Sequence, residues 1–203
     1  DENFVHPHVD LNLQKHAVNA LFEALTKYNL KKKDVLNAYA NGFAALKEYQ
    51  AGVISYGEEI IAAARAKNQS IIVIAGRPYH IDPEINHGIH KLMTSLNFAV
   101  ITEDCIAHLG NTPKLDVLNQ WTYHARLYKA AEYVTTQPDM QLVQLVSFGC
   151  GIDAITTDEV RSILEGNGKL YTQLKIDEIN NLGAAKIRLR SLQAAIDEKK
   201  TAE

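Results

Sequence analysis

Gly149-Cys150-Gly151 carries the most pointed chemistry in this chain. Glycines on both sides let other groups approach the backbone closely and leave the sulfur accessible. Near a helix N-terminus such a thiol ionises more readily. Three outcomes suit the placement: an iron ligand, a nucleophile, or a buried inert thiol. The other cysteine, Cys105, ends the segment Thr102-Glu103-Asp104-Cys105. It reads as a small core residue or as a neighbour of Cys150. Iron–sulfur clusters take about four protein ligands. Two cysteines therefore cannot complete one by themselves.

The second chemical segment is Gly76-Arg77-Pro78-Tyr79-His80-Ile81-Asp82-Pro83. Arg77 is either a forked donor to a phosphate or carboxylate, or the closing partner of Asp82 or Glu84 in a tight turn. His80 and Tyr79 likewise divide between an anion-binding crevice and cover for the core. Neither G-x-x-x-x-G-K-[ST] nor G-x-G-x-x-G occurs here, so the segment is no nucleotide fingerprint. If Asp82-Pro83 opens a helix, its free N–H groups suit an anion. Asp153, Asp177 and Glu178 could hold a hard cation through oxygen; capping of helices is the default alternative. His87 and His90 have a spacing that can serve a metal, with no third ligand nearby in sequence. In Trp121-Thr122-Tyr123-His124-Ala125-Arg126, Trp121 and Ala125 read as core, while His124 and Arg126 fall on other faces, toward a neighbouring domain.

These segments need a scaffold, and the hydrophobic period supplies one. Before Ser70 the apolar residues recur at helical spacing: Leu13, Ala17, Leu21, Ala24 and Tyr28, then Val35, Leu36, Tyr39, Phe43 and Leu46. Gly52 reads as an interruption before a third helix with Ile54, Ile60 and Ile61. After Ser70 short apolar runs take over. Ile71-Ile72-Val73-Ile74-Ala75, Phe98-Ala99-Val100-Ile101-Thr102 and Leu142-Val143-Gln144-Leu145-Val146 read as strands, the first buried on both faces. Residues 169–176 form a fourth, more amphipathic strand. Helices are expected from Asp82, after Pro113, from a Thr156–Glu159 capping box and from Asn180-Asn181. This alternation implies parallel strands joined by right-handed crossovers. Residues 1–69 are read as a helical segment packing on or capping the sheet, and residues 70–203 as an α/β domain. In such a sheet all strand C-termini share one edge, where ligands bind. The segments holding Arg77, Cys105, Cys150 and Asp177 each follow a strand.

Bulk properties narrow the class. The chain has 203 residues, 46% of them hydrophobic, and a formal charge of −3. It lacks the basic footprint of a nucleic-acid binder, and Lys31-Lys32-Lys33 reads as a solvated turn. No apolar stretch reaches the roughly 20 residues of a membrane span, and Asp1-Glu2-Asn3 does not resemble a signal peptide. A cytoplasmic piece of a larger chain is the expectation.

The segments also resemble a known family when taken together. Residues 75–88, Gln120-Trp121-Thr122-Tyr123-His124-Ala125-Arg126, Ser147-Phe148-Gly149-Cys150-Gly151-Ile152-Asp153-Ala154, Lys175-Ile176-Asp177-Glu178 and residues 181–190 resemble the acyl-CoA dehydratase activase-related proteins, kin of 2-hydroxyglutaryl-CoA dehydratase and its ATP-dependent activator. The resemblance implies a flavodoxin-like or Rossmann-like three-layer fold with about four parallel strands. It implies anaerobic one-electron lyase chemistry on a 2-hydroxyacyl-CoA. It also implies a [4Fe–4S] cluster shared with other domains, with Cys150 and Cys105 as metal-ligand candidates. Arg77, Tyr79, His80 and Asp153 are then the candidates for the acyl-CoA or anion. The activator's ATPase segment and the dehydratase's cysteine set are missing from this sequence. The fragment alone is therefore expected to hold no complete cluster and to be inactive, its partners being the ATPase and dehydratase-like domains of the full chain. Two rivals stay open: a non-catalytic module binding a small anion, and a thiol enzyme pairing Cys150 with a histidine such as His80.

Overall fold

The computed structural model describes residues 4–147, 149, 151–176 and 182–202. Expectations resting on Cys150, Asp177, Glu178, Asn180 and Asn181 lie outside the described residues. The chain divides into two compact units, Asp1–Gly52 and Val53–Glu203.

In the first unit, helix α1 spans Gln14–Ala24 and buries Ala17 and Val18. A 3₁₀ turn, Thr26–Tyr28, ends at Asn29, whose left-handed backbone (φ 52°) reverses the chain. Helix α2, Lys32–Ala66, then begins. The Tyr39 hydroxyl donates to the Leu11 carbonyl at 2.6 Å, tying α2 to the segment before α1. Gly52 does not break this helix. One glycine costs a helix only about 1 kcal/mol relative to Ala, less than a continuous run of good helix formers supplies.

The second unit is an α/β sheet of four strands: β1 Ile71–Ala75, β2 Ala99–Thr102, β3 Met140–Val146 and β4 Thr172–Lys175. Their order is β2-β1-β3-β4, and every pairing is parallel. Ile71 pairs with Ala99 on one side and Met140 on the other. Helices α3 Ile89–Ser95, α4 Thr122–Thr135 and α5 Gly151–Glu165 lie between the strands, and α6 Gly183–Ala202 follows β4.

Strand alternation sorts the core into two layers. Ile71, Val73, Met140 and Leu142 pack with Leu127, Ala131 and Val134 of α4, Val160 and Leu164 of α5, and Ala64 of α2. Ile72, Ile74, Val143 and Leu145 pack with Ile89 and Met93 of α3 and Leu189 and Leu192 of α6. This is the expected three-layer, flavodoxin-like or Rossmann-like architecture.

Helix starts differ from expectation. Asp82 opens no helix: its side chain accepts the Glu84 N–H at 2.8 Å, and His87 (φ 53°) and Gly88 (φ 79°) are both left-handed. The helix waits until Ile89. Its predecessor in the chain, Pro78–Ile81, is a short 3₁₀ turn. Before α4, Leu118 is 83% exposed, so no buried stripe supports helix between Pro113 and Thr122. Thr156 is interior to α5 and bonds the Ile152 carbonyl at 2.8 Å, so it is no cap.

Candidate functional site

The strand order reverses between β1 and β3. A doubly wound sheet opens a crevice at that point, outside the strand C-termini. The chain leaving β1 enters the Arg77–His80 turn, and the chain leaving β3 passes Ser147 and enters α5 with Asp153 in its first turn. The crevice is therefore lined from both sides by segments singled out in the sequence.

Arg77 crosses it. Its Nε and Nη2 donate to one oxygen of Asp153, Oδ1, at 3.0 and 2.9 Å. The partner is thus neither Asp82 nor Glu84. Asp153 is 8% exposed, and its other oxygen, Oδ2, is buried without a partner among the described residues.

His80 is the keystone. It is 1% exposed. The Arg77 backbone N–H donates to Nδ1 at 3.1 Å, so the ring proton resides on Nε2. Nε2 lies 3.1 Å from Ser147 Oγ and donates to it. The Tyr79 hydroxyl is 3.0 Å from the same Oγ, and its ring packs edge-on against His80. Asn86 Nδ2 donates to the His80 carbonyl at 3.2 Å and holds the turn from below. Burial, with the Arg77 charge adding to it and Asp153 opposing it, lowers the His80 pKa. A neutral His80 with both nitrogens engaged has no free lone pair. Through these bonds it shapes the turn.

Gly76 is required for the same reason. A Cβ there would lie 2.5 Å from His80 Nδ1 and 3.2 Å from the Leu145 carbonyl oxygen.

His124, in the first turn of α4, completes the crevice. The charges of Arg77 and Asp153 both act on it, and its lowered pKa stems first from burial. Its Nδ1 is buried without a partner among the described residues. Trp121 packs edge-on to it at 6.1 Å between centroids.

Arg126 also turns inward, to Glu103 just after β2. Its Nε and Nη2 donate to Glu103 Oε1 at 2.8 and 2.5 Å, while the Asp104 N–H donates to Oε2 at 3.0 Å. Glu103 is 4% exposed. Burial pushes its pKa up to about 7, outweighing the pull of Arg126, and Asp104 adds to the rise. Sequence reasoning gave Glu103, Ser147 and Asn86 no role; for Glu103 and Ser147, adjacency to strand ends was the one available signal.

Cys105 sits in the core. It is 7% exposed, with Thr102 Oγ1 at 3.5 Å from Sγ and α2 passing so close that a Cβ on Gly57 would lie 2.8 Å from the sulfur. Burial pushes its thiol pKa up. That opposes the thiolate a metal requires. His87 is exposed, and His90 Nδ1 pairs with Asn86 Oδ1 at 3.2 Å. No group of three His, Cys, Asp or Glu among the described residues could hold a metal ion. The described residues do not fit a complete iron–sulfur cluster.

The comparisons with known proteins bear on the chain as a whole. A family model described as the CoA enzyme activase uncharacterised domain matches residues 1–106. The chain belongs to that family. No curated protein and no solved structure matches it. The resemblance to acyl-CoA dehydratase activase-related proteins holds accordingly. The matched span of this CoA enzyme activase domain carries Arg77, Tyr79, His80, Asn86 and Glu103; His124, Arg126, Ser147 and Asp153 follow it. No helix of the described residues is long and apolar enough to cross a membrane.

Proposed function

We propose that this chain is a domain of an acyl-CoA dehydratase activase-related protein whose strand-end crevice receives the reacting end of a 2-hydroxyacyl-CoA. The observation that carries the reading is the convergence of Arg77, His80, Ser147 and Asp153 at the β1/β3 switch point. Tyr79 and Ser147 offer hydroxyls there, and the rigid Arg77–Asp153 pair fixes the rim. The thioester carbonyl suits a hydroxyl donor, and the acyl hydroxyl suits a carboxylate acceptor. Binding and orientation are this domain's share of the work.

In the same reading Cys150 lends one ligand to a [4Fe–4S] cluster whose other ligands come from further domains of the full chain, among them the ATPase activator and a dehydratase-like domain. Such a cluster supplies one-electron and Lewis-acid chemistry when bound. Cys105 contributes none, being packed against α2.

Calorimetric titration of the chain with lactoyl-CoA tests the crevice. Binding that falls at least about tenfold in Arg77→Met, which removes the partner holding Asp153 on the crevice rim, supports the reading; equal binding by both proteins places the thioester elsewhere. For the cluster, the full chain is loaded anaerobically with ferrous iron and sulfide. Broad visible absorbance lost in Cys150→Ser and kept in Cys105→Ala is expected; absorbance kept in Cys150→Ser removes Cys150 from the ligand set.

A further inference from the structure

The ion pair at the crevice is lopsided. Two donors of Arg77, Nε and Nη2, converge on Asp153 Oδ1 at 3.0 and 2.9 Å, and Oδ2 is left without a partner among the described residues. An ionised carboxylate only accepts hydrogen bonds. A buried acceptor without a donor keeps the full cost of its lost hydration. Such atoms are uncommon in folded proteins and call for an explanation. A second orphan, His124 Nδ1, belongs to a side chain that feels the charges of both Arg77 and Asp153. Around the pair stand Tyr79, His80 and Ser147, already bonded to one another.

The charge balance argues against an anion. Arg77 faces an opposite charge at contact distance. An incoming carboxylate or phosphate would meet the unpaired Oδ2 as a like charge. A neutral O–H or N–H group would satisfy Oδ2 instead. His124, with its imidazole neutral, can donate or accept at Nδ1 according to tautomer, and so suits either end of an alcohol or amide.

We infer that Asp153 is the specificity-determining residue of the crevice, which selects a neutral ligand group that donates a hydrogen bond, an alcohol or amide, over a carboxylate or phosphate. This rests on the crevice being the binding site of the proposed function. It replaces Arg77 as anion receptor with Asp153 as acceptor. Both orphan atoms are closed to solvent, so the ligand reaches them by displacing a rim side chain, a common event on binding.

The test uses lactamide and lactate, which share a hydroxyl and differ in charge. Each is titrated into isotopically labelled chain, with amide and imidazole resonances of Arg77, His80 and His124 read by NMR. Lactamide is expected to move them with an apparent Kd at least about tenfold below that of lactate, the worth of one charge-assisted hydrogen bond. In Asp153→Asn the carboxylate is gone, and with it the negative charge that faces Arg77. The preference should invert, with lactate now the tighter ligand; circular dichroism checks that this variant is folded. Lactate binding as tightly as lactamide in the unaltered chain overturns the inference, as does silence of the crevice resonances with both probes. Lactoyl-CoA binding that is lost in Arg77→Met, together with either of those results, would sink Asp153 selectivity alone and leave the proposed function standing.

Discussion

Arg77 and Asp153 lie 76 residues apart in sequence, yet the guanidinium of one directs two hydrogen bonds at a single oxygen of the other. The pair joins the turn after β1 to the first turn of α5 across the point where strand order reverses. Half-buried on one side and nearly closed on the other, it is costly to break from one end.

Removing Arg77 alone leaves the Asp153 charge buried and unpaired. Arg77→Met should cost about 3 kcal/mol in urea denaturation, the scale for breaking one side of a buried pair. Arg77→Met with Asp153→Leu should cost less than the sum of the two single changes, with a coupling of roughly 1–3 kcal/mol. Strict additivity would show that the two groups do not depend on each other.

Gly76→Ala forces a Cβ against His80 Nδ1, 2.5 Å away, with the Leu145 carbonyl oxygen at 3.2 Å behind it. His80 is buried and held through both nitrogens, so it has little room to yield. A loss of about 1–3 kcal/mol is expected, as for other overpacked cores. A melting temperature within a degree of the unaltered chain would contradict that tightness.

Glu103 should give stability an unusual pH dependence. Its pKa is about 7 in the folded chain, above the ordinary carboxyl range. Between the two values the folded state binds the extra proton, so this contribution is present at low pH and is lost as pH rises through about 7. His80 and His124 act oppositely: their folded pKa values are lowered, so their contribution is lost as pH falls below the ordinary histidine value. Comparison with Glu103→Gln isolates the acid. The stability difference between the two proteins should drop by on the order of 2–3 kcal/mol from pH 4.5 to 8. A carbon-13 titration should place the Glu103 midpoint near 7; a midpoint in the ordinary range would refute the burial argument.

The same substitution should have opposite signs at two places on α2. A Cβ at Gly52 meets nothing within 4 Å, so Gly52→Ala should gain up to about 1 kcal/mol from helix propensity alone. At Gly57 the Cβ would lie 2.5 Å from Cys105 Cβ, so Gly57→Ala should lose about 1–3 kcal/mol despite the same gain. Thermal melts of the two variants decide it; matching shifts would mean that α2 does not press on Cys105.

Fold class and the place of the crevice were legible in the sequence because both follow from local pattern. The change from helical spacing before Ser70 to buried runs such as 71–75 and 142–146 requires strands, and strands separated by helices must run parallel. Parallel strands put their C-termini on one edge, so Arg77 and Ser147 had to converge. Helix starts were less legible. The left-handed His87 and Gly88 arise from the turn built around Asp82 and Asn86, which no periodicity reports.

Pairing and protonation were settled by tertiary structure alone. Arg77 had acids five and seven positions away in Asp82 and Glu84, and it bonds Asp153 because β1 and β3 are neighbours in the sheet. Glu103 resembles any solvated glutamate in sequence; the packing that buries it beside Arg126 raises its pKa. Cys105 follows a strand as a site residue would, and the approach of Gly57 makes it core. Local pattern fixes which way a chain runs, whereas desolvation and charge pairing depend on neighbours that only the assembled fold brings together.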